Sequence, residues 1–94
     1  MGRSFLTSYS FENIGSVPAY NVRVRLKYPI GTKLDKIIPP IKHIESVDEK
    51  STIFELYFHK LNVGAQVSLT VYTDNPPNSD LEFQYIEEGV IKTI

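Results

Sequence analysis

Two histidines, His43 and His59, are the residues of this chain best suited to metal or proton chemistry, and cysteine is absent. A zinc site needs three or four convergent ligands, and neither histidine sits within four residues of another strong ligand pair on one strand face. Ser46, Ser51 and Asp48 supply the residue types of a hydrolytic triad, but no nucleophile elbow of the G-x-S-x-G kind accompanies them. The five glycines are dispersed, so no phosphate-cradling loop is formed. Glu87-Glu88 adjoins an expected turn, where solvated charge is the default. The Asp74 to Asp80 loop has oxygen ligands suited to calcium, yet it lacks the glycine-punctuated spacing of a calcium loop and Pro76-Pro77 stiffens it. These residues name no catalytic group, metal or cofactor, and the chain is expected not to be an enzyme.

Binding is the chemistry left to consider. Arg23, Arg25 and Lys27 stand at every second position of one run, a row able to contact an anionic partner. The commoner role of such a row is to solubilise a sheet face or to block edge-to-edge pairing. Tyr57 and Tyr72 are expected to point outward, where they could form an aromatic platform for sugar rings or a protein partner. Partial burial at the sheet rim is the alternative for both.

Those five side chains can be presented only by strands. Between Asn21 and Tyr28 the apolar Val22, Val24, Leu26 and Tyr28 alternate with Asn21, Arg23, Arg25 and Lys27, the period of a half-buried antiparallel strand. Phe5 to Glu12 alternates Phe5, Thr7, Tyr9 and Phe11 against Leu6, Ser8, Ser10 and Glu12, and reads as a first strand with an aromatic inner face. Tyr28-Pro29-Ile30-Gly31 predicts a tight turn with proline second and glycine fourth. Thr32 to Ile38 is a short third strand ended by Pro39-Pro40, hence an edge or a crossing between sheets.

Ile41 to Leu61 admits two readings. Ile41, Ile44, Val47, Phe54, Phe58 and Leu61 can share one face of an amphipathic helix. The β-branched and aromatic run Ile53 to Phe58 favours instead a strand over Thr52 to Lys60, with Ser46 to Ser51 a polar loop. Leu61-Asn62-Val63-Gly64 is a turn that returns Leu61 to the core, and Gln66 to Tyr72 is a further strand with Val67, Leu69 and Val71 on one side. After the loop at Asp74 to Asp80, Leu81 to Glu87 and Val90 to Ile94 predict a hairpin about Glu88-Gly89.

Seven short strands cannot hide their apolar faces in a single sheet. The expected fold is therefore all-β, a two-sheet antiparallel immunoglobulin-like sandwich of about seven strands, with a small barrel as second choice. Ninety-four residues make one domain, residues 1–94, large enough to bury roughly 60 to 65% of the unfolded surface. With ten basic and eleven acidic residues and a formal charge of −1, nothing suggests a nucleic-acid binder. No apolar segment approaches the ~20 residues that span a bilayer, and Met-Gly-Arg-Ser-Phe lacks the apolar stretch of a signal peptide. The chain starts and stops close to strand-like sequence, as an excised module would, so an anchor or partner domain is expected outside it.

The combination Asn13-x-Gly15-x-x-Pro18-Ala19-x-Asn21-Val22-x-Val24, then Tyr28-Pro29-x-Gly31, then Leu61-x-x-Gly64 followed by Val67-x-Leu69-x-Val71, resembles the immunoglobulin-like modules of bacterial and archaeal envelope proteins. Among these are the cell-adhesion-related CARDB domains, the conserved-repeat domains of surface proteins and the related module appended to some glycosidases. The resemblance covers Phe11 to Tyr72. It implies a non-catalytic sandwich, exposed at the cell envelope, that acts as spacer, adhesion or interaction module. Its partners would be other domains of the parent protein, a protein or a glycan. Asn13, Gly15, Pro18 and Gly64 match as turn formers only. Asn62-Val63-Gly64 stands where a proline-glycine turn is more usual, and Leu81 to Ile94 extends past the matched part. Carbohydrate binding, or service as an accessory module of an enzyme, is the second reading.

Overall fold

A computed structural model of the chain describes residues 4–78, 82–84 and 90–93. It is all-β, two antiparallel four-stranded sheets packed face to face, with no helix among the described residues. The strands are β1 (Phe5–Asn13), β2 (Ala19–Pro29), β3 (Leu34–Ile38), β4 (His43–Val47), β5 (Ser51–Leu61), β6 (Gln66–Thr73), β7 (Glu82–Gln84) and β8 (Ile91–Thr93). One sheet runs β3-β6-β1-β8 and the other β4-β5-β2-β7. Two open sheets with free edges replace the small barrel held as second choice.

Alternation holds along the middle of the long strands, whereas Phe5, expected inside, is 39% exposed at the start of β1 and Ile53, opposite Lys27, is buried. Val22, Val24, Leu26 and Tyr28 of β2 are at most 1% exposed, and Tyr9 and Phe11 of β1 face them. Phe54 and Leu56 of β5, Leu69 and Val71 of β6, Ile37 of β3 and Ile91 of β8 complete one inter-sheet core. Phe11 sits edge-on to Phe58 and Phe83, with ring centroids at 5.8 and 5.2 Å. Each such buried side chain contributes ~1.5 to 3 kcal/mol. The hydroxyls of Tyr9 and Tyr28 meet at 3.0 Å inside the core and join the two sheets.

Polar clusters close both ends of this core. At one end Asn13, fully buried, donates from Nδ2 to the carbonyls of Val17 and Leu61 and accepts at Oδ1 from the N–H groups of Gly15 and Val90, all at 3.0 to 3.2 Å. Its own backbone pairs with Ala65 and Gly64. At the other end Thr32 donates to Pro29 O, Asn75 donates to Thr32 Oγ1, Thr73 donates to Asn75 O, and Gly31 N–H donates to Thr52 Oγ1.

Five expectations need correction. The helix weighed from Ile41 to Leu61 is replaced by an edge strand, β4, and β5, and the polar loop expected from Ser46 to Ser51 is confined to residues 48–50, since Ser46 and Val47 end β4 and Ser51 begins β5. That makes eight strands, not seven. Among the described residues the two arms of the hairpin expected from Leu81 to Ile94 do not pair with each other: β7 lies on β2 and β8 lies on β1, in different sheets. Its turn residues Glu88 and Gly89 lie outside the described residues. The turn after β2 is shifted by one residue, because Pro29 still pairs with Ser51 in the ladder. Thr32 N–H bonds Pro29 O, which puts Gly31 third, at φ +87°, the left-handed conformation that favours glycine. Lastly, β3 starts at Leu34, later than Thr32, and its register shifts between Leu34 and Lys36.

Asp48 shapes the short β4–β5 turn. Its Oδ1 accepts from the N–H groups of Lys50 and Ser51 at 2.8 and 2.7 Å. The Lys50 N–H is the main cause that holds this carboxyl below its ordinary range; Ser51 N–H, Lys27 and Arg25 add to it and partial desolvation opposes it.

Three outcomes check this description by urea unfolding. Val24→Asp or Leu69→Asp puts an unpaired charge into the core and abolishes folding. Asn13→Ala costs about 3 to 4 kcal/mol, because buried backbone groups of three segments lose their partner, whereas Tyr28→Phe costs only about 1 kcal/mol. For Asp48 the folded carboxyl has the lower pKa, so its contribution is present above the ordinary value and disappears as pH falls through the folded one. The wild type should therefore unfold at higher urea than Asp48→Ala at neutral pH, and this gap should narrow below about pH 4.

Candidate functional site

The basic row of β2 emerges on the outer face of the β4-β5-β2-β7 sheet, where register assigns each cation a neighbour. Arg25 lies opposite Glu55 of β5 and Glu82 of β7, while Lys27 lies opposite Ile53. Arg25 Nε is 3.6 Å from Glu55 Oε2, and Lys27 Nζ is 3.1 Å from Glu82 Oε1. The Arg25 contact is too long for a hydrogen bond, and its Nε is buried without one. Such half-exposed pairs are worth at most about 1 kcal/mol each, but they neutralise two of the three cations. Arg23, opposite Tyr57 and Gln84, has no ion pair among the described residues.

Tyr57 and Tyr72 both point outward, as alternation predicts, but from different sheets. Tyr57 belongs to β5 and Tyr72 to β6, so the two rings lie on opposite faces of the sandwich and do not make one platform. Lys36 Nζ lies 4.7 Å from the centre of the Tyr72 ring and covers it. Tyr57 is 48% exposed, and its hydroxyl donates to Asn21 Oδ1. Asn21 takes φ +51° within β2, a conformation that asparagine tolerates better than most residues.

Arg23 and Tyr57 meet Lys42, His43, Ile44 and Glu55 around a groove of about 430 Å³. Of the last four, sequence reasoning raised His43 only as a candidate ligand and missed Lys42, Ile44 and Glu55 as parts of a binding surface. Their signal was weak: Ile44, 69% exposed, and Val47, 63% exposed, are apolar residues in a polar stretch. All five residues of β4 are exposed, because β4 is the outermost strand of its sheet.

The ladder determines what that edge offers. Asp48 N–H bonds Ser51 O, so Ser46 and Ile44, by the alternation of an antiparallel pair, direct their backbone groups at β5. The N–H and C=O groups of His43, Glu45 and Val47 point away from the sheet. An extended segment could bind there as a fifth strand, with its side chains beside Ile44, Tyr57 and Arg23.

The residues first considered for catalysis are dispersed or engaged. The His43 ring stacks edge-on to Phe54 at 6.2 Å, and His59 is exposed on β5. Asp48 caps its turn, Ser46 is exposed on β4, and Ser51 Oγ accepts from Asn78 Nδ2 at 3.4 Å. Asp74 Oδ1 accepts the N–H of Lys33 at 2.8 Å, which ties the proline-rich loop to the start of β3. Glu87, Glu88 and Asp80 lie outside the described residues. Among the described residues no three acidic, histidine or cysteine side chains are placed to hold a metal ion. No helix there is long and apolar enough to cross a membrane.

Set against protein-family models, curated proteins and solved structures, the chain matches nothing in any of the three.

Proposed function

We propose that the chain is a non-catalytic, immunoglobulin-like interaction module of a prokaryotic envelope protein, which docks a protein partner or spaces neighbouring domains. The observation that carries this reading is the unpaired β4 edge beside the groove of Arg23, Ile44 and Tyr57. Support for the immunoglobulin-like part comes from neighbour order. With β2 to β6 lettered B to F, strands B, E and D adjoin in one sheet and C and F in the other, as in an immunoglobulin sandwich, although β1 takes the place of G beside F and β7 the place of A beside B. The envelope setting rests on the resemblance of the Asn13 to Val71 pattern.

A proline at position 45 tests the interaction reading. The Glu45 N–H makes no bond to β5, so Glu45→Pro removes nothing from the ladder while it blocks an added strand. We expect a melting temperature within a few degrees of wild type, and loss of the protein cross-linked to wild type in envelope fractions of the source cells. Equal capture by both proteins would refute the assignment of this edge.

A half-exposed Tyr57 ring, steadied by Asn21 beside Glu55 and Arg23, favours glycan binding as the second reading. On a glycan array, wild type would bind and Tyr57→Ala would lose at least about ten-fold, the worth of one stacked ring at roughly 1.4 kcal/mol. Flat curves for both would end it.

A further inference from the structure

The four sheet edges of the molecule are not alike. Of the edges whose ends are described, β3 carries a register shift, sets Lys36 over Tyr72 and runs into Pro39. Irregular register, proline and charged side chains, lysine above all, are the usual protections against edge-to-edge pairing. β4 has neither lysine, proline nor a register shift between His43 and Val47, pairs with β5 in unbroken register, carries the single charge of Glu45, and among the described residues leaves its outer backbone groups unpaired.

We propose that β4 pairs with β4 of a second copy of this chain, antiparallel, about a two-fold axis through Ile44. The proposal rests on the interaction reading of the same edge and names its occupant. Register decides between the ways two copies could meet. An axis through Glu45 sets Glu45 against Glu45, a like-charge opposition that destabilises a sheet. An axis through Ile44 sets His43 opposite Glu45 twice, Ile44 opposite Ile44, and Lys42 opposite Ser46. His43 and Glu45 are the residues whose N–H and C=O groups point outward, so those two crossings become hydrogen-bonded pairs. Ile44 falls at a non-bonded position, where side chains approach most closely. The pairing buries an isoleucine that is 69% exposed, and a net charge of −1 sets little repulsion between copies. The product is one eight-stranded sheet, β7-β2-β5-β4 continued by the same order reversed, with a groove of Arg23 and Tyr57 on either side of the axis.

The absence of native cysteine permits a direct reading. In this register the Cβ atoms at position 44 lie about 5 Å apart across the axis, whereas those at position 46 are about 13 Å apart along the strands. Under mild oxidation Ile44→Cys should therefore form an intermolecular disulfide about ten-fold faster than Ser46→Cys. By sedimentation equilibrium, wild type should pass from monomer to dimer between micromolar and millimolar concentration. Glu45→Pro and Ile44→Lys, each checked for an unchanged melt, should remain monomeric. Monomeric wild type throughout, a dimer that survives both substitutions, or equal cross-linking at 44 and 46 would each overturn the proposal. If wild type stays monomeric while its envelope capture remains sensitive to Glu45→Pro, self-pairing fails and the interaction reading stands. Loss of both removes both.

Discussion

One buried side-chain amide governs how the two sheets meet. Asn13 ends β1 in one sheet, yet its Nδ2 holds the carbonyl of Leu61 at the end of β5 in the other, and its Oδ1 holds the N–H of Val90 just before β8. Through Gly15 and Val17 it also shapes the crossing from β1 to β2. All four bonding positions of the amide are filled, the condition under which a buried polar group specifies one arrangement and does not weaken the core. Among the described strands, six of the seven consecutive pairs lie in different sheets, and only β4 and β5 follow one another within a sheet. Crossings of this kind need something other than a hairpin turn to set their geometry. Asn13 does so at one end, and the threonines at positions 32, 52 and 73 do so at the other.

This arrangement explains which parts were legible in advance. Period two records burial directly, so the strands with one dry face, β1, β2, β5 and β6, were readable from Tyr9, Val24, Phe54 and Leu69. The same period carries no information about which sheet a strand joins. That is why β7 and β8 read as a hairpin although they sit on β2 and β1. β4 was invisible for a related reason: with both faces wet, its sequence has no burial contrast to display, and Ile44 and Val47 fall at positions of opposite parity. Asn13 was recognisable as a turn former beside Gly15. Its contacts at sequence separations of 48 and 77 residues exist only after the fold has formed.

The surface was legible to the same depth. That Arg23, Arg25 and Lys27 share a wet face follows from alternation alone, as does the outward direction of Tyr57 and Tyr72. What each side chain is free to do depends on neighbours from other strands. Glu55 and Glu82 engage Arg25 and Lys27, Lys36 covers Tyr72, and Asn21 steadies Tyr57. Uncommitted binding capacity is thereby concentrated on the β4 side of one sheet, where Arg23, Tyr57 and Ile44 adjoin unpaired backbone.

An exposed edge is a hazard that most folds suppress, so an edge left regular in a molecule whose β3 is irregular and followed by proline has physical meaning. Unpaired N–H and C=O groups in water cost nothing, since water satisfies them, and the hazard is therefore one of association and not of stability. Adding lysine or proline to β4 would impose little thermodynamic penalty on the fold, because its side chains are exposed and the Glu45 N–H is unused. Protection was thus available at small cost to the sandwich. An exposed isoleucine set between a histidine and a glutamate suits a strand that is completed by another strand. The polar ends that make the core self-sufficient are what leave β4 free for that purpose, since nothing in the inter-sheet core requires it to be covered.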